Sequence, residues 1–328
     1  MAENQHCEEP GNKGLKTNIL GSGIPLEMAV YSVLASLDAD WIEPGYVFTT
    51  LDENGAVKQR SLDFVVSIPR SRDPLDLNGI QLYLLIECKY SDPKERVWLF
   101  MPDAFPKQDT IFDAWRPSLW QDRTPLTPMS PEEIEKIVSG EGARNPRSGG
   151  PRCVRGTVLG QKEGNRIPTL TSATHQLRDC LHHLAIDRFR LFTKQWSKPA
   201  ALVFVPIVIT NSELRILKPD VYGELAAHPD SSQKLADITS ISRRVLVRCP
   251  GGLDHVDWNW QRFWDTHHAY DMSRVEKGLP FYKRERTLEH HIRRFFATVP
   301  AYITVIHFDE ISNLLEEVIS WVKSLEFR

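Results

Sequence analysis

Residues 80–90 read IQLYLLIECKY, an almost unbroken apolar run that closes on an acid, a cysteine and a base. A run of this kind is the pattern of a strand covered on both faces. Strand side chains alternate between faces, so Glu87 and Lys89 share one face while Ile86, Cys88 and Tyr90 take the other. Charges inside such a strand are expensive unless they are paired or hold a cation. The end of the run is therefore a place for chemistry rather than for packing.

Immediately upstream, residues 45–69 read GYVFTTLDENGAVKQRSLDFVVSIP, two β-rich runs around Asn54-Gly55, the strongest short-range hairpin signal. With residues 80–90 they predict an antiparallel meander of three strands. Asp63 stands inside the middle run, among Leu62, Phe64, Val65 and Val66. If residues 61–68 and 80–90 are neighbours, Asp63 approaches Glu87 across the pair, and two carboxylates in contact repel unless a cation lies between them. Oxygen ligands of this type suit Mg²⁺ or Mn²⁺. Such an ion with a lysine beside it is the apparatus of phosphodiester hydrolysis.

Before the meander, IPLEMAVYSVLASLD (24–38) sets Leu26, Val30, Val33, Leu34 and Leu37 on one stripe with Pro25 in the first turn, which predicts a helix carrying Glu27. After it, residues 102–170 are rich in Pro, Gly, Arg and Ser; the only element expected there is a short helix at SPEEIEKIVSG, with Ser130 as N-cap and Gly140 past its end. The pattern resumes with a helix over TSATHQLRDCLHHLAIDRFRLF (171–192) and a buried strand over ALVFVPIVIT (201–210), a crossover onto the same sheet. Further strands are expected at 243–249 and 302–308. Helices are expected at 257–270, at 286–296 and in the C-terminal ISNLLEEVISWVKSLEF, the last capped by Asp309. No internal repeat is evident.

The order helix, three strands, helix, strand and the pattern D-x(23)-E-C-K, running from Asp63 to Lys89, resemble the PD-(D/E)XK nuclease superfamily with its restriction-endonuclease-like α-β-β-β-α-β fold. The resemblance covers roughly residues 22–218. It implies that Asp63, Glu87 and the backbone carbonyl of Cys88 bind the divalent ion and that Lys89 assists catalysis. It also implies that Glu27 is the additional helix acid of many members and that Gln176 matches a glutamine used near metal and substrate. Leu62 stands where the family name places proline, a position at which many members also differ.

The implied organisation is an α/β protein with an N-terminal arm (1–20), a nuclease core (21–218) interrupted by the insertion 102–170, and a C-terminal α/β extension (219–328). The implied activity is a divalent-metal-dependent nuclease acting on DNA, in restriction, phage defence or repair. The rival reading is a non-catalytic nucleic-acid-binding or scaffolding protein of the same fold. A homodimer or a partner in a defence complex is compatible with either.

Composition narrows the setting. The chain has 328 residues, with 40 Lys and Arg against 43 Asp and Glu for a net charge of -3, so a polyanion must be met by local basic patches. Arg144, Arg147, Arg152 and Arg155 in the insertion are candidates for such a patch, and Lys283, Arg284, Arg286, Arg293 and Arg294 form a second basic group. Five scattered cysteines, a polar N-terminus and the lack of an apolar stretch long enough to cross a bilayer lead to an expectation of a cytoplasmic protein without membrane contact. Adjacent histidines such as His182-His183 diverge around a helix and make poor joint zinc ligands. The Trp258, Trp260, Phe263 and Trp264 set suits a core better than a base-stacking surface.

Overall fold

The computed structural model describes residues 22–51, 57–69, 79–91, 96–103, 117–121, 124–125, 138–139, 150–160, 169–195, 200–221, 227, 234–248, 302–324 and 326–327. They form an α/β structure with one large mixed sheet. The expected meander is present: β1 (Trp41–Leu51) pairs antiparallel with β2 (Val57–Pro69), and β2 with β3 (Gly79–Lys89). The hairpin closes at Leu51 opposite Val57; Asn54-Gly55 lies outside the described residues.

Helix α1 (Ile24–Leu34) precedes the meander, with a proline in its first turn and Glu27 beside it. Helix α2 (Thr169–Gln195) leads into β9 (Ala200–Thr210), which lies parallel to β3 over its whole length, so the predicted crossover is realised. Between them the chain adds β4 (Arg96–Pro102), β5 (Pro117–Gln121), the two-residue strands β6 (Thr124–Pro125) and β7 (Val138–Ser139), and β8 (Arg152–Gly160). After β9 come β10 (Glu213–Leu217), the single turn α3 (Leu235–Ile238), β11 (Thr239–Ser242), β12 (Arg244–Arg248), β13 (Tyr302–His307), α4 (Ile311–Ser324) and β14 (Glu326–Phe327).

The strand order is β1-β2-β3-β9-β13-β12-β8-β4-β10-β11. Only Asn211 and Ser212 separate the end of β9 from the start of β10, yet β10 stands five places along the sheet. A sheet with that connection must curl back on itself. Strands β12 and β13 pair inside this sheet beside β9, so the sheet runs through residue 218 without a break.

Three expectations change. Val138 and Ser139, read as the end of a helix, pair instead with Phe327 and Glu326; the preceding residues 130–137 lie outside the described residues. The insertion is not only loop, because RCVRGTVLG within it becomes β8, paired with β4 and β12; its glycines and arginines hide the alternation. At the C-terminal helix a 3-10 turn, Phe308–Glu310, comes first, and His307 rather than Asp309 accepts the capping N–H.

Each face of the sheet carries its own core. On one, Leu26, Val30 and Leu34 of α1 and Leu314, Leu315, Val318 and Trp321 of α4 cover Phe64, Val66, Leu82, Leu84, Val205 and Ile207. On the other, Leu170, Ala173, Leu177, Cys180, Leu181 and Leu184 of α2 cover Val65, Tyr83, Leu85, Phe204 and Val208. A leucine moved from water into such a core stabilises the fold by roughly 2 kcal/mol, which is why β3 and β9 are apolar on both sides. Arg244 fastens α4 to the sheet through Glu310 at 3.0 Å and Glu317 at 2.6 Å. No described helix is long and apolar enough to cross a membrane.

Candidate active site

The β1–β2 ribbon turns over at one place. Ile42, Phe64 and Val66 pack on the α1 side, whereas Tyr46, Phe48 and Leu62, of the same strand parity, pack on the α2 side. The reversal falls at Gly45, whose φ is +63°, and at Asp63, the residue that the β1–β2 register sets opposite it. A left-handed residue in mid-strand exchanges the two faces, and glycine adopts that conformation without steric cost.

The same place ends the β2–β3 ladder, whose last pair is Phe64 with Ile86. One step further the same register brings Asp63 opposite Glu87. There the Asp63 carboxylate, through Oδ2, accepts the backbone N–H of Cys88 at 2.6 Å. Lys89 Nζ forms an ion pair with Glu87 Oε1. Glu87 is only 2% exposed, and its Oε2 is buried without a hydrogen-bond partner.

Burial sets the electrostatics. It pushes the Glu87 carboxyl up to about 7; the negative field of Asp63 adds to the rise, and Lys89 and the Asp63 N–H oppose it. Asp63 is raised by burial, against the pull of the Cys88 N–H and Lys89. Glu27 is raised by burial and then by Asp63, and lowered by Lys89, so this helix acid stands at the rim of the same group. The thiol of Cys88, on the opposite face of β3, is pushed up by burial and by all three carboxylates.

Gln176 of α2 reaches the site's support rather than its centre. Its amide nitrogen donates to the Ser61 carbonyl at 3.2 Å, and its amide oxygen accepts from Ser172 at 3.3 Å. It holds α2 against β2 two residues before Asp63. Cys180, one turn further along α2, is fully buried, and burial first and then the negative charge of Glu87 raise its thiol.

Of the four arginines of the insertion, the two that are described, Arg152 and Arg155, do not gather here. Arg144 and Arg147 lie outside the described residues. Arg152 is buried with its guanidinium 5.4 Å from the centre of the Tyr302 ring. Arg155 is exposed on β8, and β9, β13 and β12 stand between that strand and β3 in the sheet. Two contributors escaped the sequence reading. Gly45 had a usable signal, a glycine inside a β-rich run; Cys180 had none, being one of several apolar positions on its helix.

The donors are carboxylate oxygens, which suit a hard cation. Glu87 Oε2 is a buried oxygen with no hydrogen-bond partner, so it has a lone pair that a cation could take. Among the described residues, no three His, Cys, Asp or Glu side chains close around one point as an ion site. The side-chain donors are thus two, Asp63 and Glu87, with Glu27 at the rim. Comparison with protein-family models, curated proteins and solved structures finds no match to this chain.

Proposed function

We propose that the chain is a divalent-metal-dependent nuclease with a restriction-endonuclease-like core, hydrolysing the phosphodiester bonds of DNA. The observation that carries the reading is the meeting of Asp63, Glu87 and Lys89 where β2 leaves β3, with Glu87 Oε2 buried and unpartnered. A buried carboxylate pair beside a lysine costs stability and is kept where it serves a ligand or a reaction.

In this reading Asp63 and Glu87, with the backbone carbonyl of Cys88, hold Mg²⁺ or Mn²⁺. When bound, the ion supplies charge against the phosphate and acidifies water. The Cys88 N–H fixes the Asp63 carboxylate, so that ligand is oriented before anything binds. Lys89 leaves Glu87 to face the scissile phosphate, where its ammonium neutralises developing charge and donates a hydrogen bond that orients the attacking water. Glu27 adds negative field at the rim, and Gln176 keeps α2 and β2 in register around the site. Purified protein incubated with plasmid, linear duplex and single-stranded DNA in Mg²⁺, Mn²⁺ or EDTA tests the proposal directly.

One observation favours a second reading, a nucleic-acid-binding protein of the same fold without cleavage. Lys89 already neutralises Glu87, and no third side chain completes an ion site among the described residues. On that reading DNA binds equally in EDTA and in Mg²⁺, and no substrate is cut.

A further inference from the structure

A cavity of about 800 Å³ opens between the first turns of α2 and strands β4, β8, β10 and β12. Its wall is apolar, with Phe100, Leu170 and Val247 among the lining residues, and it holds Arg155, Arg248 and His175 as well. Gly156 makes the close packing here possible: a Cβ at that position would meet Leu170 Cδ2 at 2.4 Å and Phe100 Cε1 at 2.7 Å.

No Asp or Glu lines the cavity among the described residues. Elsewhere Arg178, Arg215 and Arg244 each hold a carboxylate. Arg155 and Arg248 have no ion-pair partner among the described residues, although both border one concave space. Two arginines at the edge of one concave space, with no described carboxylate lining it, give that space a local positive character in a protein whose net charge is -3. Guanidinium groups take phosphate in paired hydrogen bonds, and an apolar wall takes the face of a base. The volume lies inside the range of about 300–1,000 Å³ usual for small-ligand sites.

We infer that this cavity is a nucleotide site, in which Arg155 and Arg248 bind a phosphate and the apolar wall receives the attached nucleoside. The choice of a nucleotide over other phosphorylated ligands rests on the nuclease reading. It is supported by α2, which borders both places: His175 lines the cavity, and the next residue, Gln176, donates to the Ser61 carbonyl two residues before Asp63. The nucleotide belongs either to a free pool or to the end of a strand whose neighbouring phosphodiester reaches Asp63 and Glu87.

The test is equilibrium binding to the full chain in EDTA, where cleavage plays no part. The probes are deoxyadenosine 5′-monophosphate, deoxyadenosine, and a ten-nucleotide single strand with and without a 5′-phosphate. The monophosphate or the 5′-phosphorylated strand should bind about tenfold or more tightly than its unphosphorylated counterpart, and Arg155→Gln or Arg248→Gln should remove that preference. Both arginines are exposed, so circular dichroism of the variants should match the wild type. Binding by the monophosphate identifies a free-nucleotide site; binding by the phosphorylated strand alone identifies a strand-end site. Equal affinity for phosphorylated and unphosphorylated probes, no binding by any probe, or full phosphate preference in the double variant overturns the inference. Metal-dependent cleavage retained alongside any of those results leaves the nuclease reading standing. Arginine-dependent phosphate binding without any cleavage removes the nuclease reading and keeps the cavity.

Discussion

The carboxylate of Asp63 accepts the backbone N–H of Cys88 at 2.6 Å, one step beyond the last β2–β3 ladder pair. A side chain thus does structural service in the place where the two strands part. Asp63→Ala leaves that N–H without its acceptor, and a buried unsatisfied donor costs roughly 1–3 kcal/mol. Asp63→Asn keeps an acceptor oxygen and should retain most of the stability while losing the charge needed for an ion. Urea denaturation should rank wild type and Asp63→Asn together and Asp63→Ala well below. Metal-dependent activity should be lost in both variants.

The raised carboxyl of Glu87 makes stability depend on pH in a definite direction. With its ordinary value near 4.5 raised to about 7 by burial, the folded state holds a proton there that the unfolded state has released. Stability of the metal-free protein should therefore fall as pH rises from about 4.5 through 7, by up to ~3 kcal/mol from this group. Thermal melts of Glu87→Gln should lack that fall and lie above wild type at pH 8. Mg²⁺ or Mn²⁺ should raise the wild-type melting temperature more at pH 8 than at pH 6, because the ion competes with the proton, and should not affect Glu87→Gln.

Lys89 separates binding from turnover. Lys89→Ala removes the cation that meets the phosphate, so cleavage in Mg²⁺ should drop by about 10² or more, while DNA binding in Ca²⁺ should persist with its salt dependence. Filter binding and single-turnover kinetics measure the two quantities on the same preparation. Equal loss of both would assign Lys89 to substrate binding alone.

Much of the arrangement around Asp63 and Glu87 is readable from the chain. Apolar runs around Asp63 and before Glu87 gave the strands, Asn54-Gly55 gave the antiparallel pairing, and strand alternation placed Glu87 and Lys89 on one face. What stayed hidden was non-local. Nothing in RCVRGTVLG announces that it pairs with β4 and β12, and nothing in YITVIHF announces that it enters the sheet beside β9, because partner choice depends on the whole sheet's curl. The cavity was equally illegible, since Arg155 and Arg248 are far apart in sequence and Arg248 ends what reads as an ordinary strand.

Gly45 tests the turnover of the β1–β2 ribbon. Its φ of +63° lies in the left-handed region, and open space surrounds its missing side chain, so a substitution meets backbone strain alone. Gly45→Ala should cost about 1–2 kcal/mol, while Gly45→Asn should be tolerated better because asparagine visits that region more readily. If strain at Gly45 shifts Asp63, metal-dependent activity should fall further in Gly45→Val than in Gly45→Asn. Equal stability of the alanine and asparagine variants would show that the ribbon turns over by another route.

The most direct measurement is the cleavage rate of DNA by wild type and Glu87→Gln, purified in parallel, in Mg²⁺, in Mn²⁺ and in EDTA. The substitution removes one charge and almost no volume, so both proteins should fold. The account predicts cleavage by the wild type only with an ion present, and at least about 10³-fold less by Glu87→Gln in the same ion. Cleavage by Glu87→Gln at the wild-type rate, or a wild type that cuts no DNA with either ion, would contradict it.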